Sequence, residues 1–149
     1  MDGIRDNIGN HSSVSFAKNG DGARDHNITV AVVGEIPYAE MQGDRESLEL
    51  SSKDKILIER LIKTGKPIVL ILISGRPMII TPYLDHMDAV LAAWFPGTEG
   101  IGIADLLFGD VPPTAKLSFS WPKNMSQIPI NYGDKTYNPL FPLGYGLTY

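Results

Sequence analysis

The stretch PIVLILIS, residues 67–74, is an unbroken apolar run of strand length, rich in Ile and Val and closely followed by Gly75. A strand with one wet face alternates apolar and polar residues. A continuous run instead reads as a strand buried on both faces, the pattern of a parallel sheet. At eight residues the run is far short of the roughly 20 needed to cross a bilayer as a helix.

Working outward, the segment before it reads as a helix. Ser51 and Asp54 have capping-box spacing, with Asp in place of the usual Glu or Gln. Apolar residues follow at Ile56, Leu57 and Leu61, with Ile58 and Ile62 on the flank. Gly65 supplies a stop, and Pro67 lies just beyond. Upstream again, ITVAVVG (residues 28–34) predicts a second strand buried on both faces. The start of the chain reads as a helix ending at Gly9, an alternating edge strand SSVSFA (12–17) and a polar, Gly-rich connection.

Downstream, GRPMIITPYLDHM (75–87) reads as a turn and irregular linker, and DAVLAAWFP (88–96) as a third strand. TEGIGIADLLFGD (98–110) predicts a helix opened by Thr98 and closed near Gly109. KLSFSW (116–121) predicts a final alternating strand. From Pro122 the chain has no period, yet its aromatic content predicts an ordered loop laid over the domain. Strands alternating with helices predict an α/β fold. The expected form is a three-layer α/β/α sandwich with a mostly parallel sheet, flavodoxin-like in general architecture, in a single domain over 1–149.

Composition narrows the function. The 149 residues carry a net charge of −4, without a Lys/Arg run or basic stripe, which argues against a nucleic-acid or anionic-membrane partner. Cysteine is absent, so disulfides and thiolate metal sites are excluded, although the compartment is not thereby fixed. The polar opening MDGIRDNIGN does not read as a signal peptide. Sequons at Asn10, Asn27 and Asn124 hint at a secretory origin, and Asn27 stands where a strand begins.

The stretch with the most chemistry is EIPYAEMQGDRESLEL (35–50). It carries Glu35, Glu40, Asp44, Glu46 and Glu49 with one basic residue, Arg45, and it hangs from the carboxyl end of a strand. In open parallel sheets that is where sites form. A solvated acidic loop is the plain reading. Against it, Pro37 and Tyr38 stiffen the loop and Gly43 permits a tight bend, as a held carboxylate requires. Glu40, Asp44 and Glu46 offer oxygen ligands to a cation, but the spacing is not that of an EF-hand. A general acid is the other use of a carboxylate there, with Glu40 or Glu35 as the donor.

Five blocks carry a resemblance. VVGEIPYAEMQGD, VLILISGRPMII, DAVLAAWFPGTEGIGIADLLFGD, KLSFSWP and PLFPLGYGLTY occur in this order from about Ile28 to Tyr149. Together they resemble the C-terminal α/β-sandwich domain of glycoside hydrolase family 3, of the plant β-D-glucan exohydrolase and β-glucosidase type. The resemblance implies hydrolysis of β-glucosides and β-glucan ends with retention of configuration, using two carboxyl groups. In two-domain members the nucleophile is an Asp on a preceding barrel domain, and the acid/base is a Glu of the sandwich domain. In the family's PY-x-E-x-x-GD block that Glu matches Glu40, which makes Glu40 the acid/base candidate and Glu35 its rival. Asp44 and Arg45 are expected to tune charge or structure.

The expected barrel partner is missing from this chain. Eight βα units do not fit in 149 residues, and no SDW-like nucleophile block occurs. The expectation is therefore a fragment, inactive alone, whose parent enzyme is extracellular or wall-associated. No cofactor or metal is implied.

Other residues carry weaker signals. Arg76 in SGRP reads as a structural turn, or as a contact to a substrate hydroxyl or a backbone carbonyl. His86 and His11 have no carboxylate at ligand spacing. GTEGIG fits neither G-x-G-x-x-G nor the Walker pattern, and its glycines read as letting a helix approach the sheet. Trp94 and Trp121 read as packing residues before sugar-stacking ones. A non-catalytic carbohydrate- or protein-binding module is the alternative function. A flavodoxin-like regulatory domain would need a phosphate turn or phosphoacceptor Asp, and neither is clear.

Overall fold

The structure is a computed structural model that describes residues 1–9 and 12–149. Asn10 and His11, and so the first sequon and one candidate histidine, lie outside the described residues. The described chain runs α1 (Asp2–Ile8), β1 (Thr29–Gly34), α2 (Ser52–Ile62), β2 (Ile68–Ile73), β3 (Ala89–Ala92) and α3 (Gly100–Phe108), with short 3-10 turns between and after them. The sheet order is β1-β2-β3 and both pairings are parallel, with Ala31 beside Leu70 and Leu70 beside Val90. This is the expected α/β fold with an open parallel sheet.

PIVLILIS is the central strand, which explains its unbroken apolar run. Ile68, Leu70 and Leu72 project to one face and meet Ala31, Val33 and the α2 residues Ile58 and Leu61 in the main core. Ile71, on the opposite face, is also buried. Filling one such Leu or Ile position contributes about 1.5–3 kcal/mol of transfer free energy. The helix begins as its sequence predicts: Ser51 Oγ accepts from the Asp54 amide at 3.2 Å and donates to the Asp54 carboxylate at 2.8 Å. Its buried stripe is shifted, however. Ile58 is fully buried, whereas Ile56 is 65% exposed.

Several expectations are corrected. ITVAVVG is not buried on both faces. β1 is an edge strand, and Val32 is 56% exposed on the face opposite α2. SSVSFA forms no strand. Neither sheet edge takes it up, Phe16 is exposed, and Ser15 Oγ instead meets His26 Nε2 at 2.8 Å. KLSFSW does not join the sheet either. Leu117 and Trp121 exchange backbone hydrogen bonds with Tyr145, Gly144, Phe141 and Leu140, so the segment pairs with the chain's own tail.

The linker after β2 is irregular as expected, but it belongs to the core. Met78, Ile79 and Ile80 are buried, and the Trp121 indole donates to the Met78 carbonyl at 2.8 Å. Thr98 does not cap α3: its hydroxyl donates to the neighbouring Glu99 side chain, and the cap residue is Glu99. Gly109 closes the helix in the left-handed conformation, φ 80°. The glycines of GTEGIG are not contact points, because a Cβ on Gly100 or Gly102 would meet nothing within 4 Å. The close approach is made by α1, where a Cβ on Gly3 would lie 3.0 Å from Ala104 Cβ.

Candidate active site

The acidic segment leaves the carboxyl end of β1. Gly34 ends the strand at φ 144°, and a Cβ there would lie 1.8 Å from the Ile73 carbonyl oxygen, so only glycine fits. The Glu35 amide then donates to that same carbonyl at 2.8 Å, which extends the ladder by one residue. Because β1 and β2 are parallel and in register through Gly34 and Ile73, Glu35 and the SGRP turn leave the sheet side by side.

There a polar cluster forms. The Glu35 side chain is only 5% exposed. It accepts from Arg45 Nη1 at 2.8 Å and from the Tyr38 hydroxyl at 3.3 Å, and Arg76 Nε stands 3.4 Å away. Arg45 also donates to the Glu49 carbonyl at 3.0 Å, fastening the far end of the segment. Arg76 Nε donates to the Tyr38 hydroxyl at 2.6 Å, and its Nη2 donates to the Gly43 carbonyl at 2.5 Å. The same guanidinium lies 4.3 Å from the centre of the Tyr38 ring. Phe95, from the loop after β3, meets that ring edge-on at 5.3 Å. Glu35, Tyr38, Gly43, Arg45 and Arg76 help to wall an open cleft of about 450 Å³ at the carboxyl ends of the strands.

Gly43 has a different role from the one its sequence suggests. Its φ is not positive, and it is needed because the Tyr38 ring lies against it: a Cβ there would be 2.2 Å from Tyr38 Cδ2. Gly75 makes room for the same side chain, since a Cβ there would lie 2.5 Å from the Tyr38 hydroxyl. The charge cluster and the two glycine seats escape a reading of spacing alone. The parallel register, which brings residue 35 beside the SGRP turn, is the signal that would have found them.

Glu40 opens a 3-10 turn, Glu40–Gly43, closed by the Gln42 amide on the Ala39 carbonyl and the Asp44 amide on the Met41 carbonyl. Its backbone is left-handed, φ 47°, a conformation that costs a non-glycine residue about 1–2 kcal/mol. The side chain is exposed and makes no hydrogen bond or ion pair among the described residues. Glu40 does not itself line the cleft, although Gln42 and Gly43 of its turn do. The structure thus separates the two rival carboxylates. Glu35 has its oxygens committed as acceptors and its side chain largely covered, whereas the Glu40 carboxylate is exposed and has no partner among the described residues. Asp44 and Glu46 are exposed, and among the described residues no set of three His, Asp or Glu side chains could hold a metal ion.

The tryptophans pack. Trp121 is buried, and Trp94, with a left-handed backbone at φ 52°, lies 6.1 Å from it and 5.3 Å edge-on to Phe119. His86 ends the 3-10 turn Thr81–His86.

Comparison with known proteins agrees with this fold. The family described as "Glycosyl hydrolase family 3 C-terminal domain" matches residues 1–149. A beta-xylosidase of Formosa agariphila is 33% identical over all of this chain, which covers 25% of that protein. A periplasmic beta-glucosidase of Salmonella typhimurium is 37% identical over 85% of the chain and 20% of its own length. Among solved structures, an exo-1,3/1,4-beta-glucanase from a Pseudoalteromonas species is 43% identical with a TM-score of 0.75, over 82% of this chain and 16% of that one. The beta-glucosidase from Listeria innocua is 31% identical with a TM-score of 0.77, over 85% and 21%. The chain therefore spans about a quarter or less of the length of these relatives.

Proposed function

Since the chain belongs to glycosyl hydrolase family 3, as its C-terminal domain, we propose that it presents Glu40 as the acid/base of a retaining β-glucoside hydrolase. The sugar and the nucleophile would lie mostly on a barrel domain outside these 149 residues. The single observation that carries the reading is the state of Glu40. It is an exposed carboxylate with no partner among the described residues, held in a left-handed backbone at the start of a turn whose neighbours are fastened on both sides.

The chemistry follows from that state. In a retaining mechanism the acid/base protonates the departing glycosidic oxygen while a second carboxylate, about 5 Å away, attacks the anomeric carbon. The same group then takes a proton from the incoming water. Such a residue must keep its oxygens uncommitted and must not wander. Glu40 meets the first condition and is carried on a constrained backbone, whereas Glu35 fails the first. With no nucleophile opposite it, Glu40 would have nothing to complete the displacement, so the isolated chain would be inactive.

Complementation tests the reading. The purified chain is expected to leave an aryl β-glucoside intact. Adding the barrel domain of a related hydrolase is expected to restore turnover, and Glu40→Gln to remove it. Turnover by the chain alone would contradict the two-domain account. Glucan binding with no rescue of turnover would favour a non-catalytic binding module.

A further inference from the structure

We infer that Arg76 is the positioning residue for Glu40, a clamp reaching from the neighbouring strand to both sides of the turn that carries it. The inference rests on the reading of Glu40 given above. Arg76 lies just beyond β2, on a different connection from Glu40, and is largely covered, with its side chain 23% exposed. One guanidinium contacts the acidic segment on both sides of Glu40. Nε donates to the Tyr38 hydroxyl at 2.6 Å, two residues before Glu40. Nη2 donates to the Gly43 carbonyl at 2.5 Å, three residues after it. Its Cζ lies over the Tyr38 ring, 4.3 Å from the centroid.

Between these two anchors the backbone has little freedom. The turn is closed by the Gln42 and Asp44 amides, and Glu40 is held at φ 47°. A residue rarely adopts that conformation unless its surroundings impose it. Arg76 supplies the constraint in a form Lys cannot copy, because a rigid planar fork binds two acceptors and stacks at once, whereas an ammonium is a point charge on a flexible stem. Glu35 completes the clamp by facing Arg76 Nε at 3.4 Å and binding Arg45 at 2.8 Å. Two of its nitrogens, Nε and Nη2, are directed at protein acceptors, which favours positioning over substrate binding.

Two measurements test this. In the 149-residue chain, Arg76→Met and Arg76→Lys are expected to speed hydrogen exchange at the Gln42 and Asp44 amides about tenfold or more, while amides of β2 stay protected. Tyr38→Phe, which keeps the ring and removes only the hydroxyl, guards against loss of fold and is expected to give a smaller rise. Catalysis is read in a hybrid in which this chain replaces the matching segment of the Listeria innocua beta-glucosidase. A misplaced acid matters most when the leaving group needs a proton. Arg76→Met is therefore expected to lower kcat/KM on phenyl β-glucoside about tenfold more than on 2,4-dinitrophenyl β-glucoside. Methylguanidinium is expected to restore part of the phenyl glucoside rate in Arg76→Ala. Unchanged exchange, or equal losses on both substrates, would overturn the inference. If Glu40→Gln itself lowers both rates equally, the reading of Glu40 falls, and exchange alone decides whether the clamp stands.

Discussion

The Tyr38 ring lies against Gly43 so closely that a Cβ on residue 43 would come within 2.2 Å of Cδ2. Two residues five apart in sequence thus fix the shape of the acidic turn, and the glycine is needed for space, not for an unusual φ. Gly43→Ala is expected to destabilise the chain by about 1–3 kcal/mol, the usual range for overpacking. In a Tyr38→Ala background the same change is expected to cost less than about 0.5 kcal/mol. Urea denaturation of the four proteins in this double-mutant cycle measures the coupling, and an additive result would deny the contact.

The left-handed backbone at Glu40 makes its own prediction. Glycine carries no penalty there and alanine does, so Glu40→Gly is expected to be more stable than Glu40→Ala by about 1 kcal/mol. Equal denaturation midpoints would mean that residue 40 is not held at positive φ in solution.

Core packing gives the largest stability effect. Ile58 is fully buried between α2 and the sheet, so Ile58→Ala is expected to cost about 2–5 kcal/mol. Ile56→Ala, two residues earlier and facing water, is expected to stay within about 0.5 kcal/mol. Thermal melts of the two variants separate the stripe observed from the one suggested by the sequence, and equal losses would contradict it.

Alkaline pH is expected to weaken the fold. Burial pushes the Tyr83 hydroxyl up from its ordinary value, with Lys55 opposing in part. Lys55 is also raised, first through its hydrogen bond to Glu49 at 2.8 Å. Both groups have folded values above their unfolded ones, so their contribution is complete below the unfolded values near about pH 10 and is lost as pH rises through the folded ones. Chemical denaturation should therefore show stability falling above about pH 10, and Tyr83→Phe should reduce that fall. A fall of the same size in Tyr83→Phe would remove burial of that hydroxyl as its cause.

Much of the fold was legible because single elements announce themselves. PIVLILIS is apolar throughout because it is central, and Ser51 caps α2 as its spacing predicts. What failed depends on neighbours. A continuous apolar run does not say how many strands flank it, so β1 reads as buried although Val32 faces outward. The alternation in KLSFSW correctly signals extended chain, but not that its partner is the tail at residues 140–145. At the site, position 40 was marked by the family block and its loop, whereas the Glu35–Arg76–Tyr38 cluster exists only once two parallel strands are set in register. Side chains so far apart in the chain have no period to betray them.

The central claim is that the carboxyl of Glu40 delivers the proton to the leaving oxygen. Its most direct test is Glu40→Gln in the Listeria innocua hybrid, compared on phenyl and 2,4-dinitrophenyl β-glucosides. The predicted result is a loss in kcat/KM of about 10²–10⁴-fold on the phenyl substrate, which needs protonation, and of less than about tenfold on the dinitrophenyl substrate, which does not. Losses of equal size on the two substrates, or no loss on either, would contradict it.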